Sequence, residues 1–151
     1  MIKGLVQGVG FRPFVYKLAV EHRLSGEVKN SDEGVLVIIQ GGKNRVDKFI
    51  NDIRKFAPPA SRVRSIEVKP HPIKGYSCFK ITPSSTSDTP VTEISADIAV
   101  CSDCLEDMVS DPGRKDYPFV NCTNCGPRFT IIKSLPYDRP NTTMSDFIMC
   151  E

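Results

Sequence analysis

The chain has 151 residues and a formal net charge of +2 at neutral pH. Hydrophobic residues make up 40% of it and charged residues 25%, which is the composition of a globular protein rather than of a disordered chain. The small net charge argues against nucleic acids and anionic membranes as partners. There is no apolar run long enough to cross a bilayer, and the start lacks the apolar core of a signal peptide, so the expected location is the cytoplasm.

The spacing of apolar residues in the first half predicts alternating strands and helices. A short strand comes first, followed by a helix that has Pro13 at its first position and runs to about Arg23. The remaining predicted elements are strands over 24–30 and 35–40, a helix around 46–53, and strands over 63–68 and 76–81. This order, β-α-β-β-α-β with one strand added, is that of a ferredoxin-like α+β sandwich.

The first strand raises a difficulty, because the ferredoxin-like topology places it in the middle of the sheet. Only five residues precede Val6, where the following loop begins. Two explanations are open: the strand is unusually short, or the start of the chain has been trimmed.

The loop between the first strand and the first helix contains Gly8 and Gly10 and is followed by Arg12. Glycine permits a positive φ, so successive backbone N–H groups can converge on one anion at the start of a helix. Arg12 adds a planar, permanently charged guanidinium that suits phosphoryl oxygens. A glycine pair before a helix is also typical of an ordinary tight turn, so spacing alone leaves both interpretations open.

Residues 4–12, together with 26–30 and the hairpin turn around Gly34, resemble the acylphosphatase signature, and the resemblance covers most of the first half. In that family the glycine loop and its arginine bind the phosphoryl group, and an asparagine on the second strand orients the attacking water. The resemblance therefore implies catalytic roles for Arg12 and Asn30. It implies phosphate contacts from Gln7, Gly8, Val9, Gly10, Phe11 and Arg12.

The implied chemistry needs no nucleophilic side chain, because an acyl or carbamoyl phosphate already carries a good leaving group. Backbone amides and Arg12 can stabilise the phosphoryl charge, and the side-chain amide of Asn30 can hold a water in line. Taken singly, Arg12 also fits a solvated helix start and Asn30 a turn residue, but their occurrence together favours a site. His22 and His71 are not predicted to be catalytic, and Cys78 is predicted to be a small buried side chain.

A polar, proline-bounded run at 82–90 predicts a linker. The predicted division is an acylphosphatase-like domain over 1–83, a linker over 84–95 and a small zinc-finger module over 96–151. Within the module we expect a short helix around 105–109, a turn at 111–113 and a β-prone run at 129–132.

Two Cys-x-x-Cys pairs, Cys101/Cys104 and Cys122/Cys125, are separated by seventeen residues. This spacing suits a four-cysteine zinc site, in which two knuckles complete a tetrahedron and leave no open position for catalysis. The competing interpretations are a redox pair, a zinc deaminase and an iron site. A redox site needs only one pair, and a deaminase needs a His-x-Glu element that the sequence lacks. We therefore predict a structural Zn²⁺ ion.

Residues 8–16, 96–101 and 119–130 together resemble the N-terminal part of the HypF-type carbamoyltransferases of nickel–iron hydrogenase maturation. This resemblance spans nearly the whole chain, and it is more specific than acylphosphatase alone because ordinary acylphosphatases have no zinc module. In that family a second four-cysteine site follows the first. Cys150 is then the start of an incomplete knuckle; the other interpretation is a free thiol at a frayed terminus.

The resemblance implies that the chain is an enzyme fragment that hydrolyses carbamoyl phosphate, the first step in making the cyanide ligand of the hydrogenase. For the whole enzyme it implies ATP and a HypE-like carbamoyl acceptor as partners. Two alternatives stay open: a free-standing acylphosphatase with a zinc tail, and a non-catalytic module that binds protein or nucleic acid. We expect no nucleic-acid partner, because neither a dense basic patch nor an aromatic RNA-binding strand is visible.

Overall fold

The computed structural model describes residues 1–84, 99–113, 115–116, 131–134 and 138–146. Its strands are β1 (Ile2–Leu5), β2 (Ser25–Ser31), β3 (Gly34–Gln40), β4 (Arg62–Ile66) and β5 (Phe79–Ile81). Its α-helices are α1 (Phe11–Glu21), α2 (Lys43–Lys55) and α3 (Ser102–Ser110), and a 3-10 helix spans Arg139–Asn141. Within the described ranges no helix has both the length and the apolar character needed to span a bilayer.

The five strands form one sheet in the order β4-β1-β3-β2-β5. Strands β1 to β4 pair with their neighbours in antiparallel fashion. Strand β5 is added at the edge and runs parallel to β2. The predicted β-α-β-β-α-β order with one added strand is confirmed, and the ferredoxin-like α+β fold with it.

The core lies between the sheet and helices α1 and α2. Helical spacing brings Val15 and Leu18 of α1 to the sheet, and the two-residue period of β2 and β3 brings Val28 and Val35 to the helices. The buried apolar side chains are Ile2, Val6, Val9, Phe11, Val15, Leu18, Ala19, Leu24, Val28, Val35, Phe49, Ile53 and Phe79. Because each large side chain stabilises the fold by about 1.5–3 kcal/mol when buried, this cluster accounts for the stability of the first half.

Two local predictions are wrong. Helix α1 begins at Phe11, so Pro13 is its third residue rather than its first. Proline is tolerated there because the first N–H groups of a helix have no acceptor within the helix. Strand β5 begins only at Phe79, so Cys78 lies before it and is exposed rather than buried.

Strand β1 is central in the sheet and has only four residues. It pairs with β4 along its whole length but with β3 only between Ile2 and Val35. An open groove of about 620 Å³ lies beside Met1 and is lined by apolar side chains of β3 and α2, which include Phe49 and Ile53.

Lys3 strengthens the attachment of this short strand. Its Nζ lies 3.3 Å from Oε2 of Glu33, in the turn between β2 and β3, and 3.1 Å from Oε1 of Glu67, just after β4. Met1 and Glu67 also exchange two backbone hydrogen bonds of 2.8 Å each. Lys3 thus links β1 to elements on both sides of it.

Candidate functional site

The loop between β1 and α1 is fixed by its own side chains. Val9 and Phe11 are at most 1% exposed and pack in the core. Gly8 precedes Val9, and Gly10 lies between Val9 and Phe11. Their φ values are 71° and 72°, in the left-handed region that favours glycine. Because the apolar side chains point into the core, the loop offers a ligand its backbone rather than its side chains.

Gln7 fastens this loop to the sheet. Its side chain is 4% exposed, and Nε2 donates hydrogen bonds to the carbonyl oxygens of Ser31, at 2.7 Å, and Gly34, at 3.0 Å. Since its side-chain amide is committed to these carbonyls, a phosphate contact from Gln7 falls to its backbone N–H. The sequence placed Gln7 at the site but did not indicate this anchoring role.

Asn30 lies on β2, opposite Val35 and directly before Ser31, whose carbonyl accepts the bond from Gln7. Gln7 therefore brings the glycine loop to the strand that carries Asn30. The Asn30 side chain is 1% exposed and follows Val28 on the face of the sheet that packs against the helices. Because burial of a polar amide costs free energy unless the amide is hydrogen-bonded, an asparagine buried at this place favours a functional role over simple packing.

Arg12 is the second residue of α1, and its guanidinium contacts a residue far along the chain. Nη1 donates a 2.6 Å hydrogen bond to Oδ1 of Asp138. The other carboxylate oxygen of Asp138 accepts hydrogen bonds from the backbone N–H of Ser84, at 3.3 Å, and from the Ser84 hydroxyl. Asp138 and Ser84 could not be identified from the sequence, since no local spacing relates Arg12 to a residue 126 positions away.

The start of α1 has two features that attract anions, even though the Asp138 carboxylate offsets part of the Arg12 charge. Helix α1, which is described in full, has no acidic residue in its first turn and carries Arg12 there. The partial positive charge of a helix N-terminus adds to that of the guanidinium. The arrangement therefore favours an anion with several oxygens, such as a phosphoryl group.

The two histidines lie elsewhere. His22 follows the last turn of α1, whereas the loop precedes its first; its Nε2 lies 2.9 Å from Oδ2 of Asp52 on α2. His71 is exposed, and its Nδ1 lies 2.9 Å from the carbonyl oxygen of Pro72. His22 therefore joins the two helices.

The first cysteine pair lies at the start of α3. Cys101 is the residue that precedes the helix, and Cys104 in its first turn is completely buried against Cys101 and Met108. Two thiols at this spacing on one helical turn suit one half of a zinc site. Cys122, Cys125 and Cys150 lie outside the described residues, and the described ones hold no group of three or more metal-binding side chains.

Comparison with known proteins gives this architecture a family. The acylphosphatase family model matches residues 1–81, and the model for the HypF finger matches residues 100–132. The chain belongs to the acylphosphatase family and carries a HypF finger after its acylphosphatase domain. Nearly its whole length corresponds to the N-terminal region of HypF carbamoyltransferases, as the sequence motifs predicted.

Individual relatives support both matches. The chain is 46% identical over 145 residues to a probable carbamoyltransferase HypF of Methanocaldococcus jannaschii, covering 93% of this chain and 19% of that protein. A crystal structure of full-length HypF in the phosphate- and nucleotide-bound form matches with a TM-score of 0.92 and 44% identity, over 99% of this chain and 20% of that one. An acylphosphatase of Oceanobacillus iheyensis is 45% identical over 69 residues, which are 45% of this chain and 76% of that protein. The chain thus spans about one fifth of the HypF relatives.

Proposed function

We propose that this chain hydrolyses carbamoyl phosphate at residues 7–12, as the first step of a HypF-type carbamoyl transfer. The observation that carries the proposal is the juxtaposition made by Gln7, which joins the glycine loop and Arg12 to the strand that bears buried Asn30. The similarity to a HypF structure that binds phosphate supports the same assignment.

In this mechanism the loop amides and Arg12 bind the phosphoryl oxygens and stabilise the charge that develops in the transition state. The side-chain amide of Asn30 positions a water in line with the bond to be broken. The water oxygen attacks phosphorus, and the bond from phosphorus to the acyl oxygen breaks. Carbamate leaves as an anion that needs no proton, and the proton of the water remains with the inorganic phosphate or passes to solvent.

We propose that Zn²⁺ has a structural role, bound by Cys101 and Cys104 together with Cys122 and Cys125. The described half of this set fits, because the two thiols lie on one turn and pack against each other. The ion would supply the crosslink that a part of the chain with few buried apolar residues needs. For the whole enzyme we propose ATP as a further substrate and a HypE-like protein as carbamoyl acceptor.

The test is an assay of phosphate release from carbamoyl phosphate and from acetyl phosphate. We expect Arg12→Ala and Asn30→Ala each to lower kcat/KM for carbamoyl phosphate by about 10²–10³-fold, the usual effect of removing one group that stabilises or positions the reacting atoms. Arg54→Ala and Asn51→Ala, which change exposed residues of the same types on α2, serve as matched controls and should keep the wild-type rate.

Unchanged rates in both site variants would overturn the assignment. A clear preference for acetyl phosphate would favour the alternative, a general acylphosphatase with a zinc module. That alternative is supported by the acylphosphatase of Oceanobacillus iheyensis, because the match covers 76% of that protein's length.

A further inference from the structure

We propose that Asp138 is a positioning residue for the phosphate site, which couples the finger-bearing part of the chain to Arg12. This inference rests on the proposed role of Arg12 in phosphate binding. Its basis is the contact between the Arg12 guanidinium and the Asp138 carboxylate, which lies 126 residues away in sequence.

The contact has the geometry of a strong interaction. The distance from Nη1 to Oδ1 is 2.6 Å, and the two side chains are only 20% and 24% exposed. A charge-assisted hydrogen bond that is shielded from water restrains a side chain more than an exposed ion pair does. Arg12, which otherwise has many rotamers, is therefore oriented before a ligand arrives.

Asp138 is itself held in place from the acylphosphatase side. Ser84 donates to its second carboxylate oxygen from both the backbone N–H and the hydroxyl. Two residues earlier, the N–H of Thr82 donates a 3.0 Å hydrogen bond to the carbonyl of Val28 on β2. This connects Asp138 to the strand that carries Asn30, so one chain of contacts links both proposed catalytic residues.

The segment that carries Asp138 is also connected to the finger. It immediately precedes the 3-10 helix, where its carbonyl accepts a 2.9 Å hydrogen bond from the N–H of Asn141. The same segment pairs with the end of the finger, since Ile132 and Thr142 form an antiparallel bridge and Thr143 N–H bonds to the Ile131 carbonyl at 2.8 Å. Folding of the finger therefore places the Asp138 carboxylate.

Arg12 lies within the part shared with ordinary acylphosphatases, but the residues that hold it, Asp138 and Ser84, lie outside that part. The acylphosphatase family model ends at residue 81, before both Ser84 and Asp138. The phosphate site of this chain thus contains an element that the acylphosphatase match does not supply. We infer that full phosphate affinity requires the folded finger.

A carboxylate beside a phosphate-binding arginine could also compete with the phosphoryl group for the guanidinium. The two roles have opposite consequences: loss of a competitor tightens phosphate binding, whereas loss of a positioning residue weakens it. The two donors by which Ser84 holds the Asp138 carboxylate argue for positioning, because a competitor has to move away when the substrate binds.

The experiment uses the full 151-residue chain with zinc bound. Binding of inorganic phosphate is measured by calorimetry, and kcat and KM are measured with carbamoyl phosphate. We expect Asp138→Asn to raise both the phosphate Kd and the KM about tenfold, with a smaller change in kcat, and Ser84→Ala to raise them about threefold. Asp138→Glu should restore part of the affinity. Asp146→Asn, an exposed carboxylate that accepts from Ser145, is the control and should match wild type.

A second measurement follows the arginine directly. In ¹⁵N NMR spectra, the Arg12 side-chain signal should be shifted and slow to exchange in the wild type, and should move to a solvent-like position in Asp138→Asn. Unchanged or tighter phosphate binding in a folded, zinc-bound Asp138→Asn variant would overturn the proposal. A wild-type chain that binds phosphate without hydrolysing carbamoyl phosphate would overturn only the proposed function, and one that binds no phosphate would overturn both.

Discussion

The two parts of this chain are stabilised in different ways. The acylphosphatase domain has a core of thirteen buried apolar side chains between a five-stranded sheet and two helices. In the described residues after 98, the corresponding cluster consists of buried Cys104 with Cys101 and Met108 packed against it. On the same helix, α3, Leu105 is 53% exposed and Val109 76%. Burial of apolar side chains accounts for the stability of the first part, whereas for the second part we propose stabilisation by zinc.

Removal of zinc is the change that separates the two parts most sharply. In the double variant Cys101→Ser/Cys122→Ser we expect the metal content to fall from about one zinc per chain to none, and the finger to unfold, because structural zinc binding supplies about 10–16 kcal/mol. Elemental analysis measures the metal, and ¹H–¹⁵N spectra show which residues lose their structure. Cys78→Ser, which changes an exposed cysteine outside both pairs, should keep the zinc and the folded finger. Retention of zinc by the double variant would contradict the assignment.

The same variant tests how far the parts are independent. The strands of the acylphosphatase domain should keep their spectra, since no member of its core comes from beyond residue 79. Its affinity for inorganic phosphate should nevertheless fall to the level expected for Asp138→Asn, because Asp138 loses its support. Wild-type phosphate affinity in a chain without a folded finger would show that the two parts do not communicate.

The sequence predicted the acylphosphatase domain well because its structure follows local periodicity. The helical spacing of Val15 and Leu18, and the alternation in β2 and β3, each follow from a few neighbouring residues. The exact start of α1 could not be predicted in this way, since proline is acceptable at any of the first positions of a helix. A boundary of this kind is decided by the preceding loop, in which Gly10 adopts a left-handed conformation.

The residues of the proposed site also fall into two groups, those that the sequence indicates and those that only the fold shows. Arg12 and Asn30 could be proposed from a motif whose residues lie within one β-α-β unit. The roles of Gln7 and Asp138 depend on tertiary contacts, with Ser31 in one case and with Arg12 in the other. Neither contact has a signature in sequence spacing, because polar side chains such as these are common on surfaces and only the fold shows which ones meet.

A substitution in the core of the acylphosphatase domain should destabilise that domain and leave the finger and its zinc unchanged, which is the converse of zinc removal. Phe49 of α2 is 1% exposed and packs in the main cluster. We expect Phe49→Ala to lower the free energy of unfolding of the acylphosphatase domain by about 3–5 kcal/mol while the zinc content stays unchanged. Phe56→Ala, at the exposed end of the same helix, is the matched control and should cost less than about 1 kcal/mol. Denaturant titration measures both, and equal losses in the two variants would contradict the assigned core.

The smallest effect concerns the ion pairs that attach β1. The hydrogen bond that Lys3 donates holds the pKa of the Glu67 carboxyl below its usual value of 4.5. The unfolded state therefore binds more protons than the folded state between the lowered pKa and 4.5, so stability rises with pH across this window. The contribution is fully present above pH 4.5 and is lost as the pH falls through the lowered value.

We therefore expect Glu67→Gln to lower the thermal unfolding midpoint of the acylphosphatase domain slightly at pH 7, and the difference from wild type to disappear at acidic pH. Because the ion pair is open to solvent, with side chains 35% and 44% exposed, the difference should also shrink in high salt. Glu21→Gln, at the exposed end of α1, is the control. A difference that stayed constant from acidic to neutral pH would mean that the Glu67 side chain acts through its packing rather than through its charge beside Lys3.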